Sequence, residues 1–256
     1  MPWHAISMAP KGDIKPCCVY SMELGKNTDT ESVINAYNSD LIKQTRRDFL
    51  NGKEPQACNM CWEREDLVGY SRRIWFEEKF AKYIPNRTDY TEEEWDPQFV
   101  QADVNLGNLC NLKCRMCGTW ASNEWYDDNN ALAKINHRYG RQVTDKKLHT
   151  YDIDYIKQIL PNIQDIKRID FKGGEPMLAK AHNQFLEWLI DIGKTDIHLL
   201  YTTNGTVINP RIKELFSHFS NISLIFSIEG TGERYRYIRG GRYGICLLYT
   251  SPSPRD

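Results

Sequence analysis

The sequence predicts an α/β fold, in which a small cysteine-containing domain precedes part of a barrel of parallel strands and covering helices. From about residue 100 onward, short apolar segments alternate with segments whose apolar residues recur at helical spacing. A polar residue or a glycine follows the end of each apolar segment, where α/β barrels place their active sites. This alternation indicates a parallel sheet, which right-handed crossovers curl toward a barrel.

Four strands are predicted in the second part of the chain, over 100–106, 166–171, 197–202 and 222–227. Helical spacing of apolar residues is found over 153–160, 185–190 and 212–219. Pro161 ends the first of these helices, and Pro210 precedes the third. The order of strand, helix and strand is that of βα units.

The region before residue 100 is polar, rich in turn residues and carries four of the eight cysteines. One helix is predicted there, from about Glu31 to Leu50. The segment 84–98 contains two prolines and an acidic run, a composition typical of a linker. We therefore divide the chain into an N-terminal domain (1–83), a linker (84–98), a partial barrel (99–245) and a tail (246–256).

Charge and hydropathy limit the binding partners and the cellular location that the sequence predicts. The 33 basic residues nearly balance 34 acidic ones, for a net charge of −1, so charge predicts no nucleic-acid or membrane partner. The sequence has neither an apolar run long enough to span a bilayer nor a signal-peptide pattern, and we expect a cytoplasmic protein. In that compartment cysteines indicate metal ligands before disulfides.

Three cysteines follow the first predicted strand at a C-x3-C-x2-C spacing: Cys110, Cys114 and Cys117. Three thiolates on one loop can hold three corners of a four-iron cluster and leave the fourth iron open to a substrate or cofactor. A zinc site that lacks one ligand can have similar spacing, so the cysteines alone leave both interpretations open.

Polar groups also follow the other three strands. The second strand leads into Gly173-Gly174-Glu175-Pro176, the third into Thr203-Asn204, and the fourth into Ser227 and Glu229. Glycines allow the backbone to approach a ligand closely, and hydroxyl or amide side chains can bind a ribose or carboxylate. Each group taken alone also fits an ordinary turn.

In this order along a βα pattern, the motifs resemble the signature of the radical S-adenosylmethionine (radical SAM) enzymes, over nearly all of 100–245. The resemblance implies a truncated TIM-like βα barrel with a [4Fe-4S] cluster on the three cysteines. It also implies that S-adenosylmethionine binds the open iron. The implied cofactor contacts are Met116, Gly173, Gly174, Glu175, Pro176, Thr203, Asn204, Ser227 and Glu229. Many family members carry an aromatic residue in place of Met116, and Asp is more usual in place of Glu229.

The chemistry implied by the resemblance is reductive cleavage of S-adenosylmethionine, followed by abstraction of hydrogen from a substrate. Reduced flavodoxin or ferredoxin is the implied electron donor. A peptide or protein is the favoured substrate class. The alternative function is a zinc- or iron–sulfur-binding module without catalysis.

The four N-terminal cysteines, Cys17, Cys18, Cys58 and Cys61, resemble the ligands of an auxiliary cluster in a SPASM or twitch domain. That resemblance implies a second iron–sulfur cluster. Neighbouring residues of an extended strand point to opposite faces, so Cys17 and Cys18 can share a cluster only where the backbone turns sharply. A structural zinc site with four cysteines is the alternative.

The last eleven residues, 246–256, resemble a translated sequencing adapter, so the native sequence is expected to stop near Ile245. About four of the six strands usual in the resembled family would then be present. We expect this fragment to be poorly stable and inactive, with an exposed edge at the fourth strand.

Overall fold

The computed structural model describes residues 2–9, 12–24, 30–85, 90–91, 96, 98–135, 148–160 and 162–240. Its strands are β1 (Ala5–Met8), β2 (Ile14–Lys15), β3 (Gln101–Asn105), β4 (Arg168–Lys172), β5 (His198–Thr203) and β6 (Asn221–Phe226). Its α-helices are α1 (Thr30–Tyr37), α2 (Asp40–Leu50), α3 (Asn59–Val68), α4 (Arg72–Phe80), α5 (Tyr126–Ile135), α6 (Ile153–Ile159), α7 (Lys180–Asp191), α8 (Pro210–Phe216) and α9 (Gly232–Arg239).

Within these residues the six strands form one mostly parallel sheet in the order β2-β1-β3-β4-β5-β6. β1 runs parallel to β3, with Ala5 opposite Gln101, and β2 is antiparallel to β1. β5 and β6 are parallel over their full length, from His198 opposite Asn221 to Thr203 opposite Phe226. The predicted α/β class is confirmed, and the sheet is consistent with a partial barrel. The four predicted strands correspond to β3–β6, each within two residues.

The chain divides into two compact units, Met1–Val104 with Asp154–Asp170, and Asn105–Ile153 with Phe171–Asp256. The predicted domain boundary at 84–98 stays a prediction. Residues 86–89, 92–95 and 97 of that segment and the whole tail 246–256 lie outside the described residues.

The first unit contains the N-terminal helices and strands β1 and β2. One of its cores consists of Ala5, Phe76, Phe80 and Val100. The prediction of one continuous helix from Glu31 to Leu50 is wrong, because the chain forms α1 and α2 with a break at residues 38–39.

The side chains at this break bond to the preceding helix. Asn38 Nδ2 donates to Ile34 O at 3.1 Å, and Ser39 Oγ donates to Ala36 O at 2.8 Å. Such local bonds compete with continued helical pairing, which explains the interruption.

The second unit is organised around stacked aromatic rings. Phe171 of β4 and Tyr201 of β5 stack with their centroids 4.7 Å apart, and Phe185 of α7 meets Phe171 edge-on. The Nε2 atom of His182 in α7 lies 3.0 Å from the Tyr201 hydroxyl. This packing holds α7 against β4 and β5, and so fixes the ends of those strands.

No helix in the described ranges is both long and apolar enough to cross a membrane.

Candidate metal centre

The loop with Cys110, Cys114 and Cys117 follows β3 and is held at its base by Asn108. The Asn108 side chain donates to Thr119 O at 2.8 Å and accepts the His149 N–H at 2.7 Å. Because Asn108 is buried, these bonds also satisfy its polar atoms. The base of the loop is therefore fixed from two sides.

A short 3₁₀ turn at Asn123–Trp125 holds the upper part of the loop. The Asn123 carboxamide oxygen accepts the Cys110 N–H at 2.8 Å. Trp125 Nε1 donates to Cys114 O at 2.8 Å. The loop backbone is thus bonded at two of its three cysteines.

The three thiols differ in burial and in pKa. Cys114 is buried, whereas Cys110 and Cys117 are partly exposed. The hydrogen bond from the Cys117 thiol lowers the pKa of Cys114 to about 6, against the effect of burial, and nearby Arg239 acts in the same direction. The same bond and burial raise the pKa of Cys117, and burial raises the pKa of Cys110.

The donor set of this loop fits an iron–sulfur cluster. Three thiols with no carboxylate among them match the soft ligands that such clusters take. Among the described residues, no group of three or more His, Cys, Asp or Glu side chains is arranged around a single metal-ion position. A multi-iron cluster does not require that arrangement, because its ligands bind different irons.

The glycine turn after β4 packs directly on this loop. A Cβ on Gly174 would lie 2.2 Å from Leu109 O, and one on Gly173, whose φ is +121°, would lie 2.6 Å from Gly107 O. The Gly174 N–H donates to Gly107 O at 2.9 Å and the Glu175 N–H to Leu109 O at 2.8 Å. Only glycine permits this approach. The sequence motif was assigned to a ligand, and the structure shows that it also supports the cysteine loop.

Glu175 joins this turn to the end of β5. Its buried carboxylate accepts a hydrogen bond from Thr203 Oγ1 and another from the Asn204 N–H, both at 2.7 Å. Burial raises the pKa of Glu175, while these two bonds act in the opposite direction. Pro176 starts a buried 3₁₀ turn behind the carboxylate.

The Asn204 side chain links the end of β5 to the cysteines. Its Nδ2 donates to Asn111 Oδ1 at 2.9 Å and lies 4.0 Å from Cys110 Sγ. Its Oδ1 accepts from the Thr206 hydroxyl, which in turn accepts from Asn111 Nδ2. Sequence reasoning missed Asn111 and Thr206, although Asn111 lies between two of the predicted ligands.

The end of β6 completes the same group of residues. The Ser227 N–H donates to Thr203 O at 2.9 Å. Glu229 forms an ion pair with Arg239 through both carboxylate oxygens. Arg239 Nη1 also lies 3.4 Å from Cys114 Sγ. Sequence reasoning missed Arg239. The signal that could have pointed to it is its position in the last turn of a helix, directly before Gly240.

Of the predicted cofactor contacts, Met116 lies apart from this network. Met116 is half exposed. The structure therefore brings the cysteines, the glycine turn and the ends of β5 and β6 together, and leaves the Met116 side chain half exposed. The contacts of these residues with a cofactor stay predictions.

The N-terminal cysteines separate into two places within the first unit. Cys17, Cys58 and Cys61 line one small cavity, whose other lining residues are Pro2, Pro16, Tyr20, Thr45, Phe49 and Arg73. Cys18 is exposed and lines a different pocket, together with Met22 and Met60. Burial raises the pKa of Cys17 to about 12 and that of Cys58 to about 11. Three thiols thus share a cavity, and their chemistry fits iron–sulfur ligation. Among the described residues they do not surround a single metal-ion position, as a zinc site requires.

Comparisons with known proteins point to the same part of the chain. The family model of the Radical SAM superfamily matches residues 104–245. The GTP 3',8-cyclase of Aliarcobacter butzleri (strain RM4018) is 28% identical over 113 residues, which are 44% of this chain and 29% of that relative.

Solved structures of Streptococcus suis SuiB are also similar. The structure bound to S-adenosylmethionine has 15% identity and a TM-score of 0.32, over 56% of this chain and 27% of that one. The structure bound to the precursor peptide SuiA has 15% identity and a TM-score of 0.39, over 68% and 42%. The chain spans less than half the length of each of these proteins.

Proposed function

Because the chain belongs to the radical SAM superfamily, we propose that Cys110, Cys114 and Cys117 hold a [4Fe-4S] cluster beside which S-adenosylmethionine binds. The observation that carries this proposal is the convergence of residues from four strand ends on one loop. The cysteines follow β3, the glycine turn follows β4, Asn204 follows β5 and Glu229 follows β6.

When bound, the cluster and S-adenosylmethionine supply the reductive cleavage of a carbon–sulfur bond and the radical chemistry that follows. The chain's own residues bind the cluster and fix the strand ends around it. The three thiols are the cluster ligands. Asn204 and Glu175 hold the strand ends at fixed positions around the loop. Such fixed supporting bonds keep ligands in place during reaction.

The proposal is tested by anaerobic reconstitution with iron and sulfide. We expect a brown protein with absorption near about 400 nm and about 4 or 8 irons per chain. Cys114→Ala should remove about 4 irons per chain. Cys18→Ala is the matched control, because Cys18 is an exposed cysteine in a different pocket. A colourless protein that binds only zinc would favour the alternative, a module without catalysis.

We further propose that Cys17, Cys58 and Cys61 hold a second iron–sulfur cluster in a twitch-like region. Their shared cavity supports this proposal. Cys58→Ala should lower the iron content by about 4 and leave the site at Cys114 loaded. Retention of all iron in this variant would contradict the second cluster.

The wider function is also a proposal. A reduced flavodoxin or ferredoxin in the cytoplasm would supply the electron, and a peptide or protein would be the substrate, with no nucleic-acid or membrane partner. We propose that residues 1–256 alone do not turn over substrate. In the described part of the sheet β6 is an edge strand, and most of its residues are only partly buried. Full turnover by this chain would contradict that statement.

A further inference from the structure

Arg239 contacts both a cluster ligand and an acidic residue. Its guanidinium pairs with the Glu229 carboxylate through Nε and Nη2, and its remaining terminal nitrogen, Nη1, lies 3.4 Å from Cys114 Sγ. A guanidinium that forms two parallel bonds to one carboxylate has a fixed plane and direction. The third nitrogen is therefore aimed at the sulfur.

The backbone around Arg239 is fixed by separate contacts. Residue 239 ends α9, and the Ile238 carbonyl accepts the Arg115 N–H of the cysteine loop at 2.8 Å. A Cβ on Gly240 would lie 2.4 Å from Lys113 O, so the chain after α9 passes against the same loop. These contacts hold the helix end beside the loop independently of the arginine side chain.

Burial makes this arrangement different from a surface ion pair. The Arg239 side chain is only 9% exposed, whereas Glu229 is 35% exposed. An exposed pair contributes little, because water screens it. A guanidinium beside a buried sulfur acts through a less polar medium, where its charge is felt more strongly.

We infer that Arg239 is a positioning residue that raises the reduction potential of the cluster held by Cys110, Cys114 and Cys117. This inference rests on the proposed cluster. One-electron reduction adds negative charge to the cluster and its sulfurs. A nearby positive charge and an N–H donor stabilise the reduced form more than the oxidised form, which raises the potential. Glu229 offsets part of the arginine charge, so the two residues have opposite effects.

The test is a reductive titration of the reconstituted full chain, followed by electron paramagnetic resonance without S-adenosylmethionine. All proteins carry Cys58→Ala, so that the signal of the proposed second cluster is absent. We expect Arg239→Met to shift the midpoint potential downward and Glu229→Gln to shift it upward. Arg239→Lys should lie between wild type and Arg239→Met. Arg236→Gln is the control, because Arg236 lies on the same helix but pairs with exposed Glu233.

The outcomes separate the inference from the proposed function. A parent protein that takes up no iron would overturn both. A cluster whose potential is the same in Arg239→Met, Glu229→Gln and the parent would overturn the inference alone. Loss of iron in Arg239→Met, with unchanged potentials in Arg239→Lys and Glu229→Gln, would show a purely structural arginine and also overturn it.

Discussion

The carboxylate of Glu175 accepts a hydrogen bond from Thr203 Oγ1 at 2.7 Å, which ties the turn after β4 to the end of β5. The Asn204 N–H donates to the same carboxylate. Glu175 is 2% exposed, so water does not replace a lost partner. The residue is therefore a brace between two strand ends as well as a predicted cofactor contact.

Glu175→Gln should lower the free energy of unfolding by ~1–3 kcal/mol, because an amide NH₂ would face donors in a buried site. Denaturant unfolding followed by tryptophan fluorescence measures the change. Glu187→Gln on α7 is the control, since the Glu187–Arg211 pair is largely exposed and should contribute under ~1 kcal/mol. Equal effects of the two variants would contradict the bracing role.

Gly174→Ala should displace the cysteine loop, since the new Cβ would lie 2.2 Å from the backbone oxygen of Leu109. We expect a stability loss of ~1–3 kcal/mol and reduced iron uptake. Gly193→Ala provides the comparison: Gly193 has a positive φ, +71°, and nothing lies within 4 Å of a Cβ there. Gly193→Ala therefore introduces backbone strain without a steric clash, whereas Gly174→Ala introduces the clash with Leu109. Equal iron uptake by both variants would show that close packing at Gly174 does not hold the loop.

The strands β3–β6 could be predicted because their signal is local. Apolar segments separated by helical spacing define βα units without knowledge of distant contacts. The cysteine loop and the glycine turn could also be placed, because each directly follows a strand. The cysteine loop and the glycine turn meet because β3 and β4 are neighbours in the sheet.

Features set by distant pairs could not be predicted in this way. Arg239 and Cys114 are 125 residues apart, and no local pattern relates them. Strand β1 is only four residues long and is defined by pairing with β3 about a hundred residues later. The different orientations of Cys17 and Cys18 depend on packing around a cavity, which spacing along the chain does not describe.

The buried histidine of the second unit should make stability sensitive to acid. Burial lowers the pKa of His182 from 6.5 to about 4, against the effect of its bond to Asn183. The unfolded chain then binds a proton more readily than the folded chain between these values. The stabilising contribution is fully present above pH 6.5 and is lost as the pH falls toward about 4.

His182→Gln should therefore show a smaller loss of unfolding free energy between pH 7 and pH 4, by about 3 kcal/mol at most. Unfolding curves in urea at a series of pH values give this difference. His218→Gln, which changes an exposed histidine, is the control for the loss of an imidazole. An identical pH dependence for His182→Gln would show that this histidine is not responsible.

The two adjacent cysteines of the first unit should differ in iron binding. Cys17 lies in the cavity with Cys58 and Cys61, whereas Cys18 is exposed in a different pocket. In a Cys114→Ala background, which removes the proposed central cluster, Cys17→Ala should abolish most of the remaining iron. Cys18→Ala should retain it, because its sulfur is outside the cavity. Iron and sulfide analysis after anaerobic reconstitution measures both. Loss of iron in the Cys18 variant would mean that the backbone at residues 17–18 turns when the cluster binds, and that both thiols are ligands.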